Sequence, residues 1–298
     1  MKKIFVLYNQ AAGDNEGLQL AKLFEQKVHR ALPEVDVFLQ GVNKKSDPQV
    51  IHQKGLTFGL DTLVIIGGDG SIHHGIKTFQ KELPQVTIGI LAAGTVNNLA
   101  KALALPSGVD EQIQTIINHK VKAIDYGQVN QDIVLSTITI GLLADSAAKV
   151  TQAEKQKLGV LAFIKTFWHH LIKRHRPYLT IQTAKEHWEG KAQILTINLT
   201  NSAGGFQKFN SEATVDDGFF HVTLLPKLSL VKLFLALPKI ASGKFHELAD
   251  VKYFKTTQVS IASRDLQTRS RIDGDPAEDL PLKLTMHHQA ISVFVPKN

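Results

Sequence analysis

In the first third of the chain, short apolar blocks alternate with glycine-rich turns and with segments of helical spacing. Ile4–Tyr8 predicts a buried strand, followed by a polar turn ending at Gly13. Leu20, Leu23, Phe24 and Val28 share one side of a helix over Leu18–Leu32. Val35–Leu39, Thr62–Ile66 and Val86–Leu91 predict three more strands, the last two stopped by Gly67-Gly68 and Ala93-Gly94. Strand, glycine turn and helix in repetition predict a parallel sheet with helices on both faces.

After about Asp125 the texture changes to closely spaced strand-like runs. These are Ile133–Ile140, Tyr178–Thr183, Gln193–Leu199, Phe219–Leu225, Gln258–Ala262, Leu282–Met286 and Ile291–Val295. They predict an antiparallel β domain, interrupted by helical segments at Lys155–His175 and about Leu230–Leu248. The expected organisation is an α/β domain over residues 1–125 and a β-rich domain over 126–298, whose last strand is free to return to the first domain.

Composition narrows this picture little. Of 298 residues, 43% are hydrophobic and 20% charged, as in an ordinary globular protein. There is no cysteine, which excludes disulfides, thiolate metal sites and cysteine nucleophiles. The net charge of +7 attracts nucleic acid, anionic membrane and phosphorylated ligands alike. No helix-turn-helix, zinc-finger or RNP pattern accompanies it, so no nucleic-acid partner is expected. The run after Lys2-Lys3 is too short for a signal-peptide core. The longest apolar candidate, Leu228–Ala241, is cut by Lys232, Pro238 and Lys239, so no transmembrane helix is expected.

Candidate chemistry sits at two strand ends. Gly67-Gly68-Asp69-Gly70-Ser71 follows a buried strand and opens a helix-compatible run. Such a turn lets backbone N–H groups approach a phosphate, and the helix N-terminus adds positive potential. It fits neither the dinucleotide fingerprint nor the Walker pattern. Ala93-Gly94-Thr95-Val96-Asn97-Asn98 repeats the arrangement after the next strand. Read alone, its asparagines are helix caps. Beside the first loop it becomes the second wall of a ligand crevice.

These residues resemble a known family. The pair GGDGSIHHGI and GTVNNLAKALALP is similar to the nucleotide-binding signature of the diacylglycerol kinase catalytic-domain family. Asn9–Gly13 resembles its opening turn, with Gln10 in place of proline, and Ile124–Gly127 its domain-junction aspartate segment. Ser211–Phe220 and Ile272–Asp275 resemble its two late motifs, so the resemblance spans nearly the whole chain. It implies a Rossmann-like nucleotide domain, a β-sandwich-like lipid domain and ATP in the cleft between them. The implied activity is ATP-dependent phosphorylation of a lipid hydroxyl, with magnesium, by a cytoplasmic protein that meets its lipid at the membrane surface. A homodimer is compatible with the sequence, which fixes no assembly.

By the same resemblance, Asn9, Gly68, Asp69, Gly70, Ser71, Gly94, Thr95 and Asn98 hold the nucleotide. Asp69 and Asp125 belong to the carboxylates around the catalytic magnesium, and Asp217 to a structural magnesium site. Asp275 and Asp69 are the catalytic residues, Asp275 standing where the family has a glutamate base. Asp-Gly also favours a plain hairpin at 273–274, and Asp216-Asp217-Gly218 a plain turn. His73-His74 and Asn98 depart from the family pattern. The histidines, adjacent on a helix, are read as solvated or substrate-facing rather than as ligands of one ion. The alternatives are therefore a catalytically weak nucleotide- or lipid-binding member, or a kinase of a sphingoid base or other lipid alcohol. Lys155–His175 carries Phe163, Phe167 and Trp168 among lysines, with a basic cluster at Lys173–Arg176. It reads as a helix packed on the sheet whose basic end meets anionic lipid.

Overall fold

A computed structural model describes residues 1–10, 16–141, 144, 176–201, 210–227, 239, 242 and 244–297. The expected turn at 11–13 and the helix Lys155–His175 lie outside these residues, as does most of Leu230–Leu248. The chain divides into two compact units, Met1–Ile124 with Gln289–Asn298, and Asp125–His288.

The first unit alternates strands and helices: β1 (Lys3–Asn9), α1 (Glu16–Ala31), β2 (Asp36–Val42), α2 (Pro48–Phe58), β3 (Thr62–Gly67), α3 (Asp69–Thr78), β4 (Thr87–Ala92), α4 (Asn98–Ala102) and α5 (Val109–Ile117). The strands pair in parallel in the order β2-β1-β3-β4. Both faces of this sheet are covered, which explains its uninterrupted apolar strands. On β1, Ile4 and Val6 pack with Ala21, Phe24 and Val28 of α1 and Ile113 and Ile116 of α5. The alternate residue Phe5 stacks on Phe38 at 5.3 Å and meets Phe79 edge-on at 5.8 Å. Local signals fix the helix ends. Asp47 caps α2 by accepting from Gln49 N–H at 2.8 Å, Pro48 opens it, and Gly59 ends it at φ 75°.

In this strand order the chain proceeds outward in opposite directions from β1 and β3. That is a topological switch point, where the carboxyl ends of neighbouring strands leave a crevice for ligand. The pairing Gly67↔Ala92 ends β3 and β4 level with each other, so the following loops emerge side by side.

The second unit is β-rich. It takes in β5 (Val121–Val129) from Asp125 onward, β6 (Asp132–Val134), β7 (Thr137–Gly141), β8 (Tyr178–Gln182), β9 (His187–Lys191), β10 (Ile194–Asn198), β11 (Phe220–Leu225), β12 (Lys252–Thr256), β13 (Gln258–Ser263), β14 (Ser270–Ile272) and β15 (Asp275–Pro276). It also holds the first part of β16 (Leu282–Phe294). One antiparallel sheet runs β12-β11-β10-β7-β14-β15, and a second layer runs β16-β13-β8-β9. Ile138, Ile197, Val222 and Leu224 of the first meet Leu179, Ile181, Val259 and Leu284 of the second in one apolar core. The opposite face of the six-stranded sheet carries Thr137, Thr139, Thr196, Asn198, His221 and Thr223, all buried.

Three expected strands differ in extent. Ile133–Ile140 is broken between β6 and β7, because the N–H groups of Leu135, Ser136 and Thr137 turn to the Asp273 carboxylate at 2.9, 2.8 and 3.0 Å. Leu282–Met286 and all but the last residue of Ile291–Val295 fall on the single strand β16, which pairs with β13 at Leu282–Thr285 and with β4 at Ser292-Val293. No helix among the described residues is long and apolar enough to cross a membrane.

Candidate active site

In the first unit the site begins at Asn9, the last residue of β1, whose Nδ2 donates to Ser71 Oγ at 3.4 Å. Gly68 caps α3 in extended backbone and has no side chain to accept from the first turn. An uncapped helix start presents N–H donors and the positive end of the helix dipole outward. Asp69 opens this helix, and Asp69, Gly70 and Ser71 are all half-exposed.

The loop after β4 packs directly on the first. Ala93 N–H donates to Gly67 O at 2.9 Å. A Cβ built on Gly94 would lie 2.5 Å from Gly68 Cα, so backbone meets backbone and no larger residue fits. Asn97 closes the turn: its Oδ1 accepts from Gly94 N–H at 3.0 Å and its Nδ2 donates to Gly94 O at 2.8 Å. Asn97 is the residue preceding α4, but its side chain makes no cap bond to that helix. The asparagine read as a cap is instead the staple of the loop. Thr95 is exposed beside it, whereas Asn98 is buried at the start of α4. The two histidines separate as helix geometry requires: His74 is exposed, and His73, read as solvated or substrate-facing, is buried with Ile72 and Ile76.

In the second unit, Asp125 is 3% exposed. Its Oδ2 accepts from Gly218 N–H at 2.6 Å, and its Oδ1 lies 2.8 Å from His288 Nδ1. Gly218 adopts φ 80°, and a Cβ there would sit 2.9 Å from His288 Nδ1, so both conformation and space demand glycine. The neighbouring Asp217 carboxylate accepts from Phe219 N–H at 3.0 Å and Thr214 N–H at 3.4 Å, and meets His221 Nε2 at 2.7 Å. Burial alone would raise the Asp217 pKa, but the bonds from His221 and the two backbone N–H groups outweigh it and hold the carboxyl below its usual value.

His221 is fully buried, with Nδ1 2.6 Å from the Tyr253 hydroxyl. Tyr253 donates in turn to Glu212 Oε2 at 3.2 Å, and desolvation pushes its pKa up to about 12. The sequence reading found the Asp-Asp-Gly turn and Asp125 but missed His221, Tyr253 and His288. The one signal for His221 is a lone imidazole inside the apolar strand Phe220–Leu225.

Asp273 and Gly274 form a two-residue hairpin loop with φ 51° and 95° between paired Ile272 and Asp275. Positive φ at both positions is the geometry a tight hairpin prefers. The Asp273 carboxylate, through its three N–H bonds to residues 135–137, fixes this hairpin to β7. Arg271 donates through Nε and Nη2 to Gly274 O at 2.8 and 2.5 Å. Burial lowers the Arg271 pKa, and the Asp275 carboxylate opposes that shift. Asp275 itself is exposed. The hairpin reading and a chemical role for Asp275 are therefore compatible, since the turn holds the carboxylate out to solvent.

Asp69 belongs to the first unit, and Asp125, Asp217 and Asp275 to the second. Among the described residues no three acidic or imidazole side chains gather as ligands of an ion.

Two family models match this chain. One, described as the diacylglycerol kinase catalytic domain, covers residues 3–129, and the other, the YegS C-terminal NAD kinase beta sandwich-like domain, covers 136–295. A diacylglycerol kinase of Staphylococcus saprophyticus is 26% identical over all of this chain and 96% of its own length. One of Staphylococcus carnosus is 25% identical with the same coverage. A solved diacylglycerol kinase structure from Bacillus anthracis superposes with a TM-score of 0.80 over 99% of this chain and 97% of that one. At 18% identity it supports the fold alone.

Proposed function

Because the chain belongs to the family of diacylglycerol kinase catalytic domains, here followed by a YegS-type β-sandwich domain, we propose that it is an ATP-dependent lipid kinase. Its acceptor is the hydroxyl of a diacylglycerol-like lipid, reached from the membrane surface by a cytoplasmic protein bound peripherally there.

The observation that carries this reading is the backbone contact of Gly68 with Gly94 at the adjoining ends of β3 and β4, next to the switch point and beside the uncapped start of α3. Loops without side chains let phosphate oxygens reach N–H groups, and a helix N-terminus favours their negative charge. Asn9, Gly68, Asp69, Gly70, Ser71, Gly94 and Thr95 are the proposed nucleotide residues. Buried Asn98 serves them from behind, as part of the packing of α4.

Asp275 is the proposed base. It takes the proton of the lipid hydroxyl as that oxygen bonds to the γ-phosphorus and the bond to the ADP oxygen breaks. Magnesium, where bound, spreads the charge of the phosphates. Asp69 is the carboxylate proposed for it, being half-exposed on the loop assigned to the phosphates. Asp125 suits a positioning role better than direct ligation, since both of its oxygens are already bonded, to Gly218 and His288.

The test is transfer of label from γ-labelled ATP to diacylglycerol, a sphingoid base and a long-chain alcohol in mixed micelles, with chromatography of the product. Labelled phosphatidic acid is expected from diacylglycerol and is lost in Asp69→Ala, with an unchanged circular dichroism spectrum. Label on the sphingoid base alone overturns the acceptor. Label on no lipid, with folded protein, overturns the kinase reading.

A further inference from the structure

The resemblance places a structural magnesium ion on Asp217, and the donors around that carboxylate do not fit one. Magnesium demands about six oxygen ligands at roughly 2.0–2.1 Å in octahedral array. Asp217 is met instead by hydrogen donors: Phe219 N–H on Oδ1, and Thr214 N–H and His221 on Oδ2. His221 is 0% exposed and is fixed from behind by the Tyr253 hydroxyl, with Asn210 Nδ2 3.4 Å from the same ring nitrogen. Among the outer groups Lys255 is a cation. Lys255 lies 3.0 Å and His246 3.4 Å from Glu212, the carboxylate that accepts from Tyr253. A divalent ion at Asp217 would displace the imidazole and leave a buried ring nitrogen without its acceptor, which is costly.

We propose that in this chain the imidazole of His221 replaces the metal ion at the Asp217 turn. The replacement is a positioning device. Asp217 is held by His221 on one side of the turn, while the adjacent Gly218 N–H holds Asp125, which holds His288. His221 thereby fixes Asp125 without touching it, and the turn keeps its shape without divalent ions. Any magnesium requirement then belongs to the nucleotide alone.

Thermal unfolding without nucleotide tests this independently of whether the chain is a lipid kinase. The wild-type Tm is expected to be the same in excess EDTA and in millimolar MgCl2. His221→Ala is expected to lower Tm by on the order of 5 °C. Free imidazole should recover part of that loss, while toluene, which fills space but donates no hydrogen bond, should not. A saturable rise of wild-type Tm with magnesium that disappears in Asp217→Asn overturns the proposal, as does full wild-type stability in His221→Ala. Should His221→Ala fail to fold, calorimetric titration of magnesium into wild type and Asp217→Asn decides. Matching heats support the proposal, and a binding isotherm lost only in Asp217→Asn overturns it.

Discussion

The glycine loops of the first unit and the Asp-Asp-Gly turn of the second both hold a tight turn in shape, by opposite means. At Gly68 and Gly94 the arrangement depends on absent side chains: the loops touch at Cα, and the side-chain staple Asn97 bonds three residues back. At Gly218 it depends on side chains from distant parts of the chain. Asp125 is 93 positions from Gly218 and 163 from His288, and Tyr253 is 32 from His221. The first device is local and rigid by exclusion of volume. The second is a series of hydrogen bonds in which each member depends on the next, so a loss at one end is felt along it. Backbone positions therefore rule the first unit, and buried donor–acceptor pairs the second.

Substitutions at three positions probe that contrast. The largest effect is expected at Asp275. General-base catalysis contributes roughly 10²–10⁴-fold, so Asp275→Asn should cut kcat by about that factor while the KM for ATP stays near wild type. Asp275→Glu, the family residue, should retain activity. Initial rates at saturating lipid check both, and equal kcat in wild type and Asp275→Asn leaves the residue with only its place in the hairpin. Next comes Gly94→Ala, whose Cβ would stand 2.5 Å from Gly68 Cα. Forcing atoms into a packed site costs about 1–3 kcal/mol, so ATP affinity should fall roughly tenfold or more, read by nucleotide titration. Unaltered affinity would show that the two loops do not work as one cradle.

The smallest effect concerns pH at the His221 corner. The Tyr253 phenol is pushed up from 10.0 to about 12 by burial, so the folded state keeps a proton that the unfolded state loses. That contribution is complete below pH 10, and stability falls as pH rises from about 10 to about 12. Urea midpoints measured across this range should decline more steeply for wild type than for Tyr253→Phe. Parallel declines would place the tyrosine outside the bonded series.

The strands β1, β3 and β4 and the loops after β3 and β4 were legible because each is written in contiguous residues: a short apolar run, and after β3 and β4 a glycine turn. The same holds for Asp273-Gly274, whose turn geometry follows from the dipeptide. Less legible were the short strands β9, β12, β14 and β15, whose side chains are largely exposed or polar and which exist by virtue of their neighbours. The break at residues 135–136 was hidden as well, since an apolar run gives no hint that Asp273, 137 positions away, will take its N–H groups. Asn97 reads in sequence as a helix cap and in the structure bonds Gly94 instead, because a cap and a loop staple call for the same residue type.

By itself the sequence determined the alternation of elements in the first unit, the paired glycine loops and the family resemblance they carry. These depend on backbone conformation and near-neighbour periodicity, which a residue and its flanks decide. Tertiary structure decided that β2 and β3 flank β1, that His73 is buried and that Asp125 is bonded to Gly218 and His288. It also decided that Asp217 meets an imidazole. Those outcomes rest on which donors and acceptors burial brings together across long stretches of chain, and burial is a property of the packed whole.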